Sequence, residues 1–205
     1  MSVASLINSE VLNEIRMNNT ESLVELARHG DEEAFRLIFE QHHRIVLRFI
    51  YGMVGNLAQA EELTQETFLS AYRSLGSYLE EGKLTPWLCG IAKNVTRNWM
   101  RSNQNGIVNS EIDEQEVLNI QDCSNPTPDN ILLSGELNDK IRAALQVLDE
   151  DKRTVFILKV LRQLSYEDIS QITGSTIPKL KTDLHRARLD MKRLIGPYLE
   201  NDYGM

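Results

Sequence analysis

Between Leu164 and Ile195 the chain reads LSYEDISQITGSTIPKLKTDLHRARLDMKRLI, and its punctuation leaves few ways to fold. Ser165 is a good N-cap residue, with Asp168 placed as in a capping box. Ile169 and Ile172 give the short helix an inner face. Gly174 suits the left-handed conformation that ends a helix. Thr176 caps the next helix, and Pro178 falls in its first turn, where a missing N–H costs little. Along that second helix Leu180, Leu184, Ala187, Met191 and Leu194 recur at steps of four and three, one apolar stripe at helical period. Lys179, Lys181, Arg186, Arg188, Lys192 and Arg193 lie off the stripe, opposed only by Asp183 and Asp190. A short helix, a glycine turn and a basic amphipathic helix point to a DNA-reading helix-turn-helix. The plain alternative is a helical hairpin with a solvated charged face, and the capped turn weighs against it.

The helical period recurs almost throughout, so the expected fold class is all-α, with two small helical domains. Residues 1–20 are a weakly patterned lead-in. A helix starts after Asn19 or Thr20, with Leu23, Leu26 and Ala27 on its apolar edge. Gly30 breaks it, and Asp31 caps a helix over Glu32–Ile50 that buries Phe35, Ile38, Phe39, Ile45, Val46, Phe49 and Ile50. Gly55-Asn56 is the next break. Leu57–Leu75 follows as a helix with Ala60, Leu63, Thr67, Ala71 and Leu75 inward and Glu61, Glu62, Gln65 and Glu66 outward. That acidic face is a solvated surface or a dock for a basic partner helix. Gly76–Lys83 is a loop. Thr85-Pro86 then reads as an N-cap and first-turn proline for Trp87–Arg101, whose inner stripe is Leu88, Ile91, Ala92, Val95 and Trp99.

Charge is unevenly spread. The net charge is −8, yet residues 102–136 hold seven acids and no lysine or arginine, while residues 83–101 and 177–195 each carry +4. Two basic patches flank an acidic stretch. Residues 102–136, rich in Asn, Ser and Pro, read as a flexible acidic linker between domains at 21–101 and 137–205. In the second domain Leu137, Ile141, Ala144, Leu145 and Leu148 mark one helix, and Val155 to Leu161 another.

Lys93, Arg97 and Arg101 step by four along one helix, with Asn94 and Asn98 beside them. Cations hold phosphates, amides read base edges, and aromatic faces stack on bases. Trp87 and Trp99 are equally suited to a core, the reading preferred for Trp99. His29, His42 and His43 lack ligand partners at metal-binding spacings and read as surface or half-buried helix residues. Cys89 and Cys123 suggest neither a disulfide scaffold nor a metal site. No cofactor motif and no nucleophile–base pair supports an enzyme. No apolar run approaches membrane-spanning length, so a cytoplasmic protein without membrane insertion is expected.

Both halves resemble one family. DEEAF (31–35), AEELTQETFLSAYRSL (60–75) and PWLCGIAKNV (86–95) are similar to region 2 of bacterial RNA polymerase sigma factors of the extracytoplasmic-function (ECF) class. LDEDKRTVFILKVLRQLSYEDISQITG and LKTDLHRARLDMKRLI are similar to region 4 of the same class.

The resemblance implies a factor that binds core RNA polymerase, recognises promoter DNA at its minus-thirty-five and minus-ten elements, and promotes melting and initiation. Glu61, Glu62, Gln65 and Glu66 would dock on the clamp helices of the largest subunit, and region 4 would meet the flap of the second-largest. Tyr78, Lys83, Trp87, Lys93, Asn94, Arg97, Asn98 and Arg101 would meet the minus-ten element, with a base flipped near the loop. Thr176, Pro178, Lys179, Lys181, Thr182, His185 and Arg186 would read the minus-thirty-five element. The linker acids would either mimic nucleic acid in a polymerase channel or simply keep a tether soluble. Family members are often held by an anti-sigma factor, though no residue here identifies one. The family pattern is broken at Leu84, Thr85, Cys89 and Gly90, where basic or aromatic residues are usual, at SNQNG in place of an arginine-rich tail, and at Asp183 in place of arginine. Asp183 either favours a cytosine amino group or pairs with Lys179 and Arg186; the ion pair is preferred. Two other readings stand beside this one: a helix-turn-helix regulator, and a sigma-like protein that docks on polymerase without melting DNA.

Overall fold

Polar caps and glycines set most helix boundaries in the first half. The computed structural model describes residues 23–78, 83–103 and 128–202. The lead-in at 1–20, the loop tip at 79–82 and most of the expected linker lie outside these residues. Residues 23–28 form α1, which buries Leu23, Val24 and Ala27. The Asp31 carboxylate accepts from the N–H groups of Glu33 and Ala34 and starts α2, Glu32–Val54. Gly55, at φ 77°, ends it four residues beyond the expected Ile50. Asn56 accepts from the Gln59 N–H and starts α3, Leu57–Ser74, which tightens into a 3-10 turn at Leu75–Ser77. Helix α4 spans Leu84–Ser102.

Thr85 does not cap α4. Leu84 is only 4% exposed, and its burial draws the helix start back to Lys83, which makes no side-chain cap bond. The Thr85 hydroxyl instead lies 3.2 Å from Nδ1 of His42. Helices α2, α3 and α4 pack on one another around Ile38, Phe49, Ile50, Leu63, Ala71, Leu88 and Ala92.

In the second half α5 begins at Pro128, inside the stretch expected as linker, and runs to Val147. Asp149 caps α6, Glu150–Phe156. The helix expected through Leu161 widens into a π turn at Ile157–Leu161. That extra residue per turn lets Ile157 and Leu158 both be fully buried while Leu161 faces solvent. Helix α7, Tyr166–Thr173, is capped as expected: the Ser165 hydroxyl accepts from the Asp168 N–H, and Gly174 ends the helix at φ 70°. Helix α8 spans Ile177–Asp202. Leu180, Leu184, Ala187 and Met191 are buried, whereas Leu194 is 38% exposed and leaves the stripe.

The halves are not held apart. α4 packs on α7, and α2 packs on α5 and α6. One apolar cluster runs through both halves. Among the described residues there is no strand, and no helix is long and apolar enough to cross a membrane.

Candidate nucleic-acid interface

Burial of Leu84, Leu88, Cys89, Ala92 and Val95 turns the opposite side of α4 outward. Asn94, Arg97, Asn98 and Arg101 are exposed along that side, Lys93 and Trp87 half-buried. Tyr78 is buried, and its ring stands 5.2 Å from that of Trp87, tilted by 59°. Ser77, Tyr78, Lys83, Trp87, Gly90 and Asn94 line a cavity of about 620 Å³, which Gln171 and Ile172 of α7 close from the far side. A Cβ at Gly90 would meet nothing within 4 Å, so this departure from the family pattern widens the cavity. Leu84 and Cys89 are core residues and face no ligand. Burial pushes the Cys89 thiol up to about 12, which removes it as a nucleophile at neutral pH. Trp99 is half-buried and packs on the core.

Three of the four cations in residues 83–101 are engaged by the second half. Lys83 Nζ lies 3.2 Å from the Asp168 carboxylate. Lys93 Nζ donates to the Thr173 carbonyl at 3.3 Å. Arg97 Nε lies 3.4 Å from Glu150. Although burial raises the Asp168 pKa, hydrogen bonds from Ser165 and Lys83 hold it below the usual carboxylate value.

Thr176, just before α8, is exposed, and on α8 the buried stripe leaves Pro178, Lys179, Lys181, Thr182, His185 and Arg186 exposed. Lys179 Nζ lies 2.7 Å from both Asp151 and Asp183, and these bonds raise its pKa to about 12. The preferred ion-pair reading of Asp183 is met through Lys179, with Asp151 of α6 as an additional partner that spacing along α8 does not reveal. Lys181 lies over the Tyr166 ring, 5.6 Å from its centroid.

Glu61, Glu62, Gln65 and Glu66 are exposed on α3. Beside them Glu32, Phe35, Phe39, Gln65, Phe68, Leu69 and Tyr72 line a largely apolar groove of about 480 Å³ between α2 and α3. Leu69 is 59% exposed there. The acidic residues that stand out in the sequence are only the charged half of this face. Leu69 and Tyr72 at i, i+3 outside the buried stripe were the available signal. Arg28 was also missed. Its guanidinium donates to the carbonyls of Leu75, at 3.3 Å, and Tyr78, fixing the backbone that presents the Tyr78 ring. Nothing in its local sequence marks that role. Among the described residues no cluster of His, Cys, Asp and Glu is arranged to hold a metal.

Residues 38–106 match the family described as Sigma-70 region 2, and residues 138–191 match Sigma-70, region 4. The chain is 30% identical over 156 residues to the RNA polymerase sigma factor YlaC of Bacillus subtilis, covering 76% of this chain and 88% of that one. It is 29% identical over 185 residues to the ECF RNA polymerase sigma-E factor of Haemophilus influenzae, covering 87% and 96%. Its fold is similar to that of CnrH, solved in complex with the cytosolic domain of CnrY, with a TM-score of 0.63 at 17% identity over 87% of this chain and 98% of that one. The fold is also similar to the sigma factor RpoE of Bartonella quintana, solved with the anti-sigma factor NepR, with a TM-score of 0.59 at 23% identity over 79% and 96%.

Proposed function

The chain belongs to the ECF class of RNA polymerase sigma factors, and from that membership we propose how its surfaces divide the work of initiation. A sigma factor is not an enzyme. It binds core RNA polymerase and gives it promoter specificity. The division rests on one observation: the side chains on the outer sides of α3, α4 and α8 are those the three tasks need, while the inner sides supply the core.

Helix α8 enters the major groove of the minus-thirty-five element. Lys181 and Arg186 supply phosphate or guanine contacts, and Thr176, Pro178, Lys179, Thr182 and His185 complete the reading face. Helix α4 meets the minus-ten element. Lys83, Lys93, Arg97 and Arg101 hold the strand, and Asn94 and Asn98 reach base edges. The cavity beside Tyr78 and Trp87 receives an unstacked base, whose extrusion costs a few kcal/mol that stacking and phosphate contacts offset. Helix α3 docks on the clamp helices of the largest polymerase subunit through Glu61, Glu62, Gln65 and Glu66. The groove at Leu69 and Tyr72 gives that contact an apolar centre. The flap of the second-largest subunit is the partner of region 4. The site of action is the cytoplasm, where the promoter is.

Reconstitution with core polymerase, followed by selection of transcribed promoters and permanganate footprinting, tests the assignment. Transcription from a selected promoter with reactive thymines near minus ten is expected. Binding to core without reactive thymines would favour a factor that docks but does not melt DNA. Operator binding without any affinity for core would favour a regulator.

A further inference from the structure

Arg48 on α2 and Arg162, just after the π turn, are half-buried, and among the described residues neither makes a side-chain hydrogen bond or an ion pair. The other described arginines withdrawn from solvent all have partners. Arg28 holds the carbonyls of Leu75 and Tyr78, and Arg142 pairs with Asp139. Arg153, 7% exposed, donates to the carbonyls of Met53, Gln146 and Leu148 and to the Gln146 side chain. Withdrawing a guanidinium from water without a partner is costly, so the two exceptions call for a cause.

Packing brings the two together. Met53 lies against Arg153 and Thr154, and Gly52 against Ile157, whose Cδ1 would stand 2.8 Å from an added Cβ. Moving back along α2 therefore moves forward along the second half. One more turn in each direction reaches Arg48 and Arg162, whose N–H donates to the Ile157 carbonyl at 3.0 Å. Burial, and then the charge of Arg48, hold the Arg162 pKa below its ordinary value. The Cys89 thiol beside Arg162 stays neutral at neutral pH and offsets neither charge. Nε of Arg162 is buried without a partner, while its other nitrogens and those of Arg48 remain open to solvent. Gln163, at φ 56°, is the one left-handed residue other than glycine among those described. It turns the backbone so that the Leu164 N–H meets the Leu158 carbonyl at 3.0 Å, which keeps Arg162 at the corner.

We propose that Arg48 and Arg162 form an anion site at the junction of the two halves, and that its ligand is a phosphate dianion, free or at the end of a nucleotide. Two guanidiniums carry two positive charges, which a dianion balances and a carboxylate only halves. The planar fork of each guanidinium matches two phosphate oxygens. A bound phosphate replaces a like-charge contact with two attractive ones, one to each half of the chain. The site uses no residue assigned to DNA or polymerase, so it stands or falls apart from those assignments.

Urea unfolding of the full chain in sodium phosphate and in sodium chloride of equal ionic strength tests the site. The parent should have the higher midpoint in phosphate, because a ligand of the folded chain stabilises it. Calorimetry at low ionic strength should give inorganic phosphate a Kd on the order of 1 mM, as suits a few charge-assisted contacts. Arg48→Gln and Arg162→Gln should each weaken it about tenfold or more. In chloride each variant should be at least as stable as the parent, because it removes one member of a like-charge pair; in phosphate each should be less stable. Arginines needed only for packing would lower stability equally in both salts, and that result overturns the proposal. So does a parent equally stable in the two salts. Acetate, a monoanion, should bind about tenfold more weakly than phosphate, and equal binding overturns the choice of a dianion. Pyrophosphate and GDP separate the two sources: equal affinities assign recognition to phosphate alone, and tighter binding of GDP assigns a nucleotide. A single-stranded oligonucleotide that needs both arginines, where phosphate and pyrophosphate do not bind, overturns the small-anion site. The variants lie on opposite halves, so either one carries the test if the other fails to fold.

Discussion

Nδ1 of His42 on α2 stands 3.2 Å from the Thr85 hydroxyl at the start of α4, and its Nε2 is buried without a partner. Burial holds the His42 pKa below its ordinary value of 6.5. The unfolded chain therefore takes up a proton at a pH where the folded chain does not. This contribution to stability is fully present above about pH 6.5 and is lost as pH falls through that value toward the folded pKa. Urea unfolding should show lower stability at about pH 5.5 than at about pH 7.5, and His42→Gln should flatten the difference. Equal slopes for parent and variant would remove His42 as the cause.

Asp31 satisfies two N–H groups at the start of α2, the helix on which both α4 and α6 pack. Asp31→Ala should cost about 1 kcal/mol of stability in denaturant titration, and Asp31→Asn much less. A loss shared equally by both variants would mean that charge, rather than the cap bond, is what matters.

Leu69 and Glu66 probe the two halves of the proposed docking face. Glu66→Lys reverses a charge on the exposed side of α3 and should weaken binding to core polymerase by about tenfold or more, mainly through slower association. Leu69→Ala removes an apolar side chain from the groove and should cost about 1–2 kcal/mol of core affinity, with little salt dependence. Unchanged core affinity in both variants would move the docking face elsewhere.

Lys179 is tied to two carboxylates, so as it stands it contributes little to phosphate binding. Asp151→Asn with Asp183→Asn should release it. Promoter binding by the holoenzyme should then tighten, and the salt slope should steepen by about one. In contrast, Arg186→Glu should abolish recognition of the minus-thirty-five element and spare core binding. An unaltered salt slope in the double variant would mean that Lys179 faces away from DNA.

Local rules were readable wherever the deciding partner was near in sequence. Asp31, Ser165 and Gly174 act within one turn of themselves, and the structure has each doing what its side chain or backbone suits. The stripe of α8 was equally plain down to Met191, because an amphipathic helix records its own buried face. Thr85 was misread because burial of Leu84 outweighs a favourable cap residue. The π turn at Ile157 was invisible for a related reason: its advantage lies in what Ile157 and Leu158 meet, and part of that is Gly52. Arg153 and Met53 are separated by 100 residues, and no periodicity records their bond. Of the candidate site, the run of cations from Lys83 to Arg101 is legible in the sequence, but the engagement of three of them by Asp168, Thr173 and Glu150 is not.

The contact of Ile157 with Gly52 has a thermal consequence. Parting the halves exposes that apolar surface to water, which gives opening a positive heat-capacity change. Apolar burial loses strength on cooling. The packing of Ile157 against α2 is therefore weaker in the cold. Cooling loosens this contact between the two halves before it loosens the hydrogen bonds of Arg153 beside it.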